Sequence, residues 1–202
     1  MSNLLSSVSR ETMNRLEIYQ RLLEEWSPRI NLVSLASLDD AWGRHFKDSS
    51  QLMNISGTEQ TNWVDLGSGG GFPGAVIAIL SAETVPDRSV TLIESDQRKC
   101  AFLRTVLRKT GVAAKVTCGR IEAVEELQAD IISARALAPL PKLLDLASQH
   151  GSEATTYLFM KGRTWKEELI QAKKKWQFTH RVIPSETDPE GVILRIESIE
   201  HV

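Results

Sequence analysis

The residues best placed to do chemistry are Asp65-Leu-Gly67-Ser-Gly69-Gly-Gly71-Phe-Pro73-Gly74, a glycine-rich turn opened by an acid, and Glu94, a second acid beyond the next apolar run. Glycines let a backbone approach a ligand closely and adopt positive φ. A carboxylate closing the second strand of a parallel sheet can accept hydrogen bonds from both ribose hydroxyls of a nucleoside. Turn and acid together read as a nucleoside site, against the plainer alternative of a flexible loop with no ligand. A dinucleotide is the sharper rival, because Gly69-x-Gly71-x-x-Gly74 also satisfies the nicotinamide fingerprint. Tyr157-x-x-x-Lys161 even has the spacing of a dehydrogenase pair. That pair falls in an apolar run that reads as strand, where i and i+4 stand about 13 Å apart, not the roughly 6 Å of a helix face. Asp65, two residues before the first glycine, suits a sulfonium-bearing cofactor and would crowd a pyrophosphate.

No Ser/His/Asp or Cys/His nucleophile system stands out. His45, His150, His180 and His201 are scattered, and no Cys-x-x-Cys exists, so no metal site is expected. Cys100 and Cys118 have no metal-like spacing and read as ordinary reduced thiols.

The elements that must hold these groups follow from periodicity. Met13, Leu16, Leu23 and Trp26 recur near a 3.6 period, predicting a helix over 9–26 with Ser9 as cap. A second helix is expected after Ser37, with Asp39 and Asp40 in its first turn, ending before the polar stretch Ser56–Asn62. From there strands and helices alternate. Strands are predicted at 63–66, 90–93, 115–118, 131–134 and 157–160. Helices are predicted at 72–82, 97–110, from Glu122, after Pro139 and over 165–176. Strands at 178–183 and 192–199, joined by the turn-rich 184–191, read as a closing hairpin. The pattern predicts a Rossmann-like α/β fold with a mostly parallel seven-stranded sheet, an antiparallel C-terminal edge and an N-terminal helical extension. The expected boundary lies near residue 60, giving 1–60 as the extension and 61–202 as the main domain.

Apolar content of 42% and charged content of 25% place the chain with globular proteins and not with disordered ones. No apolar run is long enough to span a membrane and the N-terminus lacks a secretory pattern, so a cytoplasmic protein is expected. The net charge of −2 argues against a surface that seeks nucleic acid everywhere. Two basic runs nevertheless stand out. Arg98, Lys99, Arg104, Arg108 and Lys109 occur without an acid among them, and Lys161, Arg163, Lys166, Lys173, Lys174, Lys175 and Arg181 face only Glu167 and Glu168. Either run could be a solvated helix face or a set of phosphate contacts.

Several separate motifs carry a family resemblance. Trp26 with Asn31-Leu-Val-Ser34, Arg44-His45-Phe-Lys-Asp48-Ser49, the turn Asp65–Gly74 with its Phe-Pro-Gly end, Gly119-Arg120-Ile121-Glu122, Ser133-Ala-Arg135-Ala136 and Lys161-Gly162 together resemble the small-subunit (16S) ribosomal RNA guanine-N7 methyltransferases, also called the glucose-inhibited division protein B family. The resemblance runs from Trp26 to about Ile196. It departs at Gly70, where many members have proline, and at Ser27, where asparagine is common. It implies a class I methyltransferase fold, S-adenosylmethionine as cofactor and 16S rRNA as partner, within the 30S subunit or an assembly intermediate, for a monomeric enzyme. It further implies cofactor contacts from Gly67, Phe72, Ile121, Glu122 and Arg135, beside Asp65, Gly69, Gly71 and Glu94 of the turn and second strand. Asn31, His45, Asp48 and Arg120, with Arg135, are the candidate substrate-positioning residues. From spacing alone His45 could instead be a helix histidine bonded to Asp48, and Arg135 a structural partner of Glu122. A different acceptor and a non-catalytic nucleotide-binding module are the competing readings. The absence of an Asn/Asp-Pro-Pro-Tyr/Phe block counts against base amines as acceptors.

Overall fold

The structure, a computed structural model, describes residues 4–202. Met1, Ser2 and Asn3, on which the reading of the N-terminus partly rests, lie outside the described residues. A seven-stranded sheet runs in the order β3-β2-β1-β4-β5-β7-β6. The strands are β1 (Asn62–Leu66), β2 (Ser89–Glu94), β3 (Lys115–Cys118), β4 (Ala129–Arg135), β5 (Gly151–Lys161), β6 (Trp176–Pro184) and β7 (Val192–His201). The first five are parallel, and β7 runs antiparallel to both β5 and β6. This is the predicted architecture. Strand order reverses between β1 and β4, so loops leaving the carboxyl ends of these two strands diverge and open a crevice there.

Helices cover both faces. On one lie α1 (Arg10–Ile30), α4 (Gly74–Thr84) and α5 (Gln97–Thr110). Leu16, Tyr19 and Leu23 of α1 join Val76, Ile77 and Leu80 of α4 and Phe102, Leu103 and Val106 of α5 in one core. α4 is buried along Gly74–Ser81, because it is enclosed between the sheet and other helices. On the opposite face α6 (Leu140–Ala147) and α7 (Trp165–Ala172) cover Ile132, Tyr157 and Phe159.

The caps explain the boundaries. Ser9 Oγ accepts from Thr12 N at 3.1 Å and starts α1. The helix continues past Trp26, because Pro28 removes a single hydrogen bond near its end. It stops at Asn31, which takes the left-handed conformation (φ 52°) that asparagine tolerates. Asp96 Oδ1 accepts from Arg98 N and Lys99 N to start α5, and Gly111 (φ 67°) ends it.

Three expectations are revised. The helix expected from Glu122 is a single 3-10 turn, Ile121–Ala123. The single helix expected after Ser37 is three segments: α2 (Leu35–Leu38), a π-helical turn (Trp42–Lys47) and α3 (Asp48–Ile55). π-Turns rotate side chains off the regular helix face and recur at functional sites. This one carries Arg44 and His45. The basic helix expected over 165–176 ends at Ala172. Lys173, Lys174 and Lys175 form the turn beyond it, and Trp176 is buried at the start of β6, its indole N–H donating to Asp145 Oδ1 at 3.1 Å.

Candidate functional site

The turn after β1 is tied to the end of β2. Ser68 N donates to the Ile93 carbonyl at 3.0 Å, and Gly69 N donates to Glu94 Oε2 at 2.8 Å. Glu94 Oε1 accepts from Ser95 N and Asp96 N at 2.7 and 2.8 Å. The carboxylate is thereby fixed while facing open space. Gly71 adopts φ 94°, and a Cβ there would collide with the Tyr19 hydroxyl. A Cβ at Gly74 would strike Leu92 Cδ2 and come within 2.6 Å of Asp65 Cβ, so glycine lets α4 begin close against the sheet.

Asp65 lies beneath this turn and not in its wall. It is fully buried, and its Oδ1 accepts from Ser133 Oγ at 2.6 Å, which in turn accepts from Trp63 Nε1 at 2.8 Å. Its Oδ2 lies against the start of α4 without a well-formed hydrogen bond. Burial pushes the Asp65 carboxyl up to about 6, with the Glu94 charge adding slightly, against hydrogen bonds from Ser133 and Ser68. Asp65 therefore shapes the turn from below.

Above the turn is a cleft of about 760 Å³. Nine predicted residues line it: His45, Gly67, Gly69, Phe72, Glu94, Arg120, Ile121, Glu122 and Arg135. Asp65 and Gly71 lie behind the wall. Asn31 is exposed at the end of α1 and lines neither this cleft nor its neighbour. His45 stacks on Phe72 with centroids 4.8 Å apart, and neither ring nitrogen has a hydrogen-bond partner. Burial foremost, then the charges of Arg135 and Arg44, holds its pKa down to about 4, so the ring is neutral near pH 7. The bond from His45 to Asp48 that spacing allowed does not form.

A second cavity, about 530 Å³, shares the wall Arg135–Ala138 with the first. Asp48 lines this one. Its Oδ1 accepts from Gln51 Nε2, Ser185 Oγ and Thr187 Oγ at 2.8–3.0 Å, and its Oδ2 lies 3.5 Å from Arg135 Nη2. Asp48 thus pins the β6–β7 loop to α3 and orients the arginine. Arg135 also donates from Nη2 to the Arg44 carbonyl at 2.7 Å. Its Nη1 is buried without a partner, between the two cavities. Burial lowers its pKa while Asp48 opposes that. Its ion pair is with Asp48 and not, as spacing allowed, with Glu122.

Lys161 pairs with Glu168 at 2.6 Å and donates to the Ala138 carbonyl at 2.8 Å. The Lys161-Gly162 motif therefore braces the shared wall. Tyr157 and Lys161 both lie in β5, as the strand reading required, and burial pushes the Tyr157 hydroxyl up to about 12. No dehydrogenase pair is assembled.

Sequence reading missed Tyr19, whose hydroxyl donates to the Gly70 carbonyl and whose ring stacks on Phe72 at 5.3 Å. Its place between Leu16 and Leu23 on the apolar stripe was the available signal. It also missed His150, fully buried, with Nε2 3.1 Å from the carbonyl of Ile121. Nothing local marks that contact, which joins the end of α6 to the rim of the cleft. Among the described residues no group of three or more His, Cys, Asp and Glu gathers as a metal site would require.

Comparison with known proteins now adds a family to this geometry. The model of the family described as "GidB: rRNA small subunit methyltransferase G" matches residues 12–189. Ribosomal RNA small subunit methyltransferase G of Ruegeria sp. (strain TM1040) is 48% identical over 99% of this chain and 97% of that protein. The protein of the same name from Rhodospirillum centenum (strain ATCC 51521 / SW) is 50% identical over 95% of this chain and 87% of its own length. Among solved structures, a mutant of MtNAS in complex with S-adenosylmethionine superposes with a TM-score of 0.61 at 14% identity, over 92% of this chain and 75% of that one. A SAM dependent methyltransferase from Aquifex aeolicus gives 0.59 at 14% identity, over 78% of this chain and 91% of that one. At such identities these two structures show the class I methyltransferase fold alone. The sequence matches reach further: this chain belongs to the rRNA small subunit methyltransferase G family.

Proposed function

We propose that this chain transfers a methyl group from S-adenosylmethionine to N7 of a guanine in small-subunit (16S) ribosomal RNA. The observation that carries the reading is the pair of cavities meeting at Arg135–Ala138, one floored by the glycine turn and Glu94, the other lined by Asp48 and the β6–β7 loop. Family membership supports the same assignment.

The residues present fit this cofactor. Glu94 holds a carboxylate toward the cleft with free lone pairs for a ribose, His45 and Arg135 Nη1 reach it unpartnered, and the glycine turn leaves room that side chains would fill. Gly67, Gly69, Phe72, Ile121 and Glu122 would form the wall around the nucleoside, while Asp65 and Gly71 would hold the turn from beneath. Bound there, S-adenosylmethionine supplies a methyl carbon on a cationic sulfur. Guanine N7 has an in-plane lone pair and no proton to lose, so no general base is required. The chain's own task is to hold donor and acceptor in line and to keep water out. Neutral His45 and the Asp48–Arg135 pair suit a site through which positive charge migrates, because neither adds an unbalanced cation beside the acceptor. Asp48 and Arg135 would position the base, Arg120 the backbone at the rim, and Asn31 the RNA further out.

In this reading the enzyme is a cytoplasmic monomer that meets rRNA in the 30S subunit or an assembly intermediate; separately, no helix of the described residues is long and apolar enough to cross a membrane. In this reading 1–60 is an extension to the main domain 61–202, and its Leu32, Val33, Ser34, Ser37 and His45 line the cofactor cleft. The test uses 30S particles from a strain lacking the protein, incubated with labelled cofactor and mapped by primer extension after borohydride–aniline cleavage. Label and cleavage at one guanine are expected. Label without cleavage would mean another acceptor atom.

A further inference from the structure

Cys100 and Cys118 are distant in sequence and adjacent in space. Cys100 sits in the first turn of α5, fully buried, its thiol donating to the Glu94 carbonyl at 3.2 Å. Cys118 ends β3 in register with Glu94 and is exposed. The following residue, Gly119, donates its N–H to the same Glu94 carbonyl at 2.9 Å. One carbonyl oxygen therefore gathers the buried sulfur and the backbone next to the exposed one, with Cys118 paired across the strands to Glu94 itself. Gly119, Arg120, Ile121 and Glu122, the residues immediately after Cys118, line the cleft opposite the glycine turn.

We propose that Cys100 and Cys118 form a reversible disulfide that lowers the affinity of the adjoining cleft for its cofactor, an inference that rests on the cofactor reading above. Cys118 meets the oxidant because it alone is exposed. Burial foremost, and then Cys118 itself, pushes the Cys100 thiol up to about 12, which makes it the slower partner. With a low-molecular-weight disulfide RSSR, the Cys118 thiolate attacks one sulfur and releases RSH, leaving a mixed disulfide. The Cys100 sulfur, its proton passing to solvent, displaces the second RSH. Two electrons and two protons leave the protein, and RSSR becomes two thiols. The crosslink removes the Cys100 hydrogen bond to Glu94 and draws on the β3–Gly119 junction, so the two walls of the nucleoside site shift together. In a reducing compartment the dithiol form prevails, and the disulfide would report oxidative excursions.

The full chain, freshly reduced, is titrated with S-adenosylhomocysteine by calorimetry. It is then equilibrated with glutathione disulfide, alkylated under denaturing conditions, weighed by mass spectrometry and titrated again. The expected protein has lost the mass of two hydrogen atoms and takes up no alkylating agent. Its affinity has fallen at least about ten-fold, and dithiothreitol restores it. Cys118→Ser should keep its affinity under the same oxidant. A glutathione adduct that persists on Cys118 with Cys100 still free would overturn the proposal, as would crosslinked protein that binds as tightly as reduced protein. Reduced protein with no affinity for S-adenosylhomocysteine would sink the cofactor reading and the affinity effect together, while the mass change would still report whether the crosslink exists.

Discussion

The two cavities on either side of Arg135–Ala138 are built in different ways. The nucleoside cleft rests on one short segment: Gly67–Gly74 turns on itself and hangs from the end of β2 through Gly69 and Glu94. The second cavity has no such segment. Its wall is assembled from α3, the end of β4, the end of β5 and the β6–β7 loop, joined by Asp48, Lys161 and Glu168. The first kind of site tolerates change around it and not within it. The second can be loosened from any of its sides.

The sharpest way to break this contrast is Gly71→Ala. At φ 94° an alanine is strained, and its Cβ would meet the Tyr19 hydroxyl, so a loss of about 3 kcal/mol of stability is expected. A thermal melt reads it, and cofactor affinity should fall in parallel. An unchanged melting temperature would mean that the turn is far looser than its geometry implies.

A pair of substitutions separates the halves. Glu94→Ala should weaken cofactor binding by about 1–3 kcal/mol through lost charge-assisted bonds, with affinity for the 30S particle intact. Asp48→Ala should do the opposite: S-adenosylhomocysteine binds as before, while KM for the particle rises several-fold as Arg135 and the β6–β7 loop lose their anchor. Calorimetry and steady-state kinetics on both variants decide, and identical profiles would erase the distinction between the cavities.

A smaller effect appears in the dependence of stability on pH. Asp65 is raised from 3.8 to about 6, so its native state favours the protonated form. The stability it contributes is present below about pH 4 and is lost as pH rises through about 6. His45 is lowered from 6.5 to about 4, and its contribution is present above about 6.5 and lost as pH falls through about 4. The two slopes oppose one another in the wild type. Asp65→Asn should therefore leave a stability that climbs between pH 4 and 6.5, and His45→Gln one that declines between pH 4 and 6. Denaturant melts across that range check both signs, and parallel curves for the two variants would refute the assignment.

Smallest of all should be the effect of Lys173, Lys174 and Lys175. Their basic run was a candidate for phosphate contacts, but α7 starts at the carboxyl end of β5 and the triplet stands by the start of β6, at the amino end of the strands and so across the sheet from the cavities. Within the same run Lys161 is paired with Glu168 and Arg163 with Glu190. Changing the three lysines to glutamine should barely alter the salt dependence of binding to the 30S particle. Changing Lys99, Arg120 and Lys142, which line the cleft, should reduce its slope by roughly two to three phosphate contacts. Equal slopes for the two triple variants would return the lysine turn to the RNA face.

The same contrast explains what the sequence made legible. The sheet, its order of elements and the glycine turn were readable because each depends on local alternation, caps and backbone conformations that specific residues demand. His45 and Arg135 were named through motif resemblance, yet their partners were not, since Asp48–Arg135 and His45–Phe72 join segments far apart in the chain. The π-turn at Trp42–Lys47 left no periodic trace, because its extra residue per turn blurs the helical pattern that periodicity relies on. Asp65 was read as a cofactor contact, yet it is fully buried and held by Ser133 on a neighbouring strand, a contact that sequence spacing does not encode.

The most direct trial of the account is calorimetry of reduced wild-type protein with S-adenosylmethionine, alongside the Glu94→Ala variant. Saturable binding at a single site, weakened in the variant, is the predicted result. A wild-type protein that takes up no cofactor, or a variant that binds equally well, would contradict the assignment of the Gly67–Gly74 turn and Glu94 as the nucleoside site.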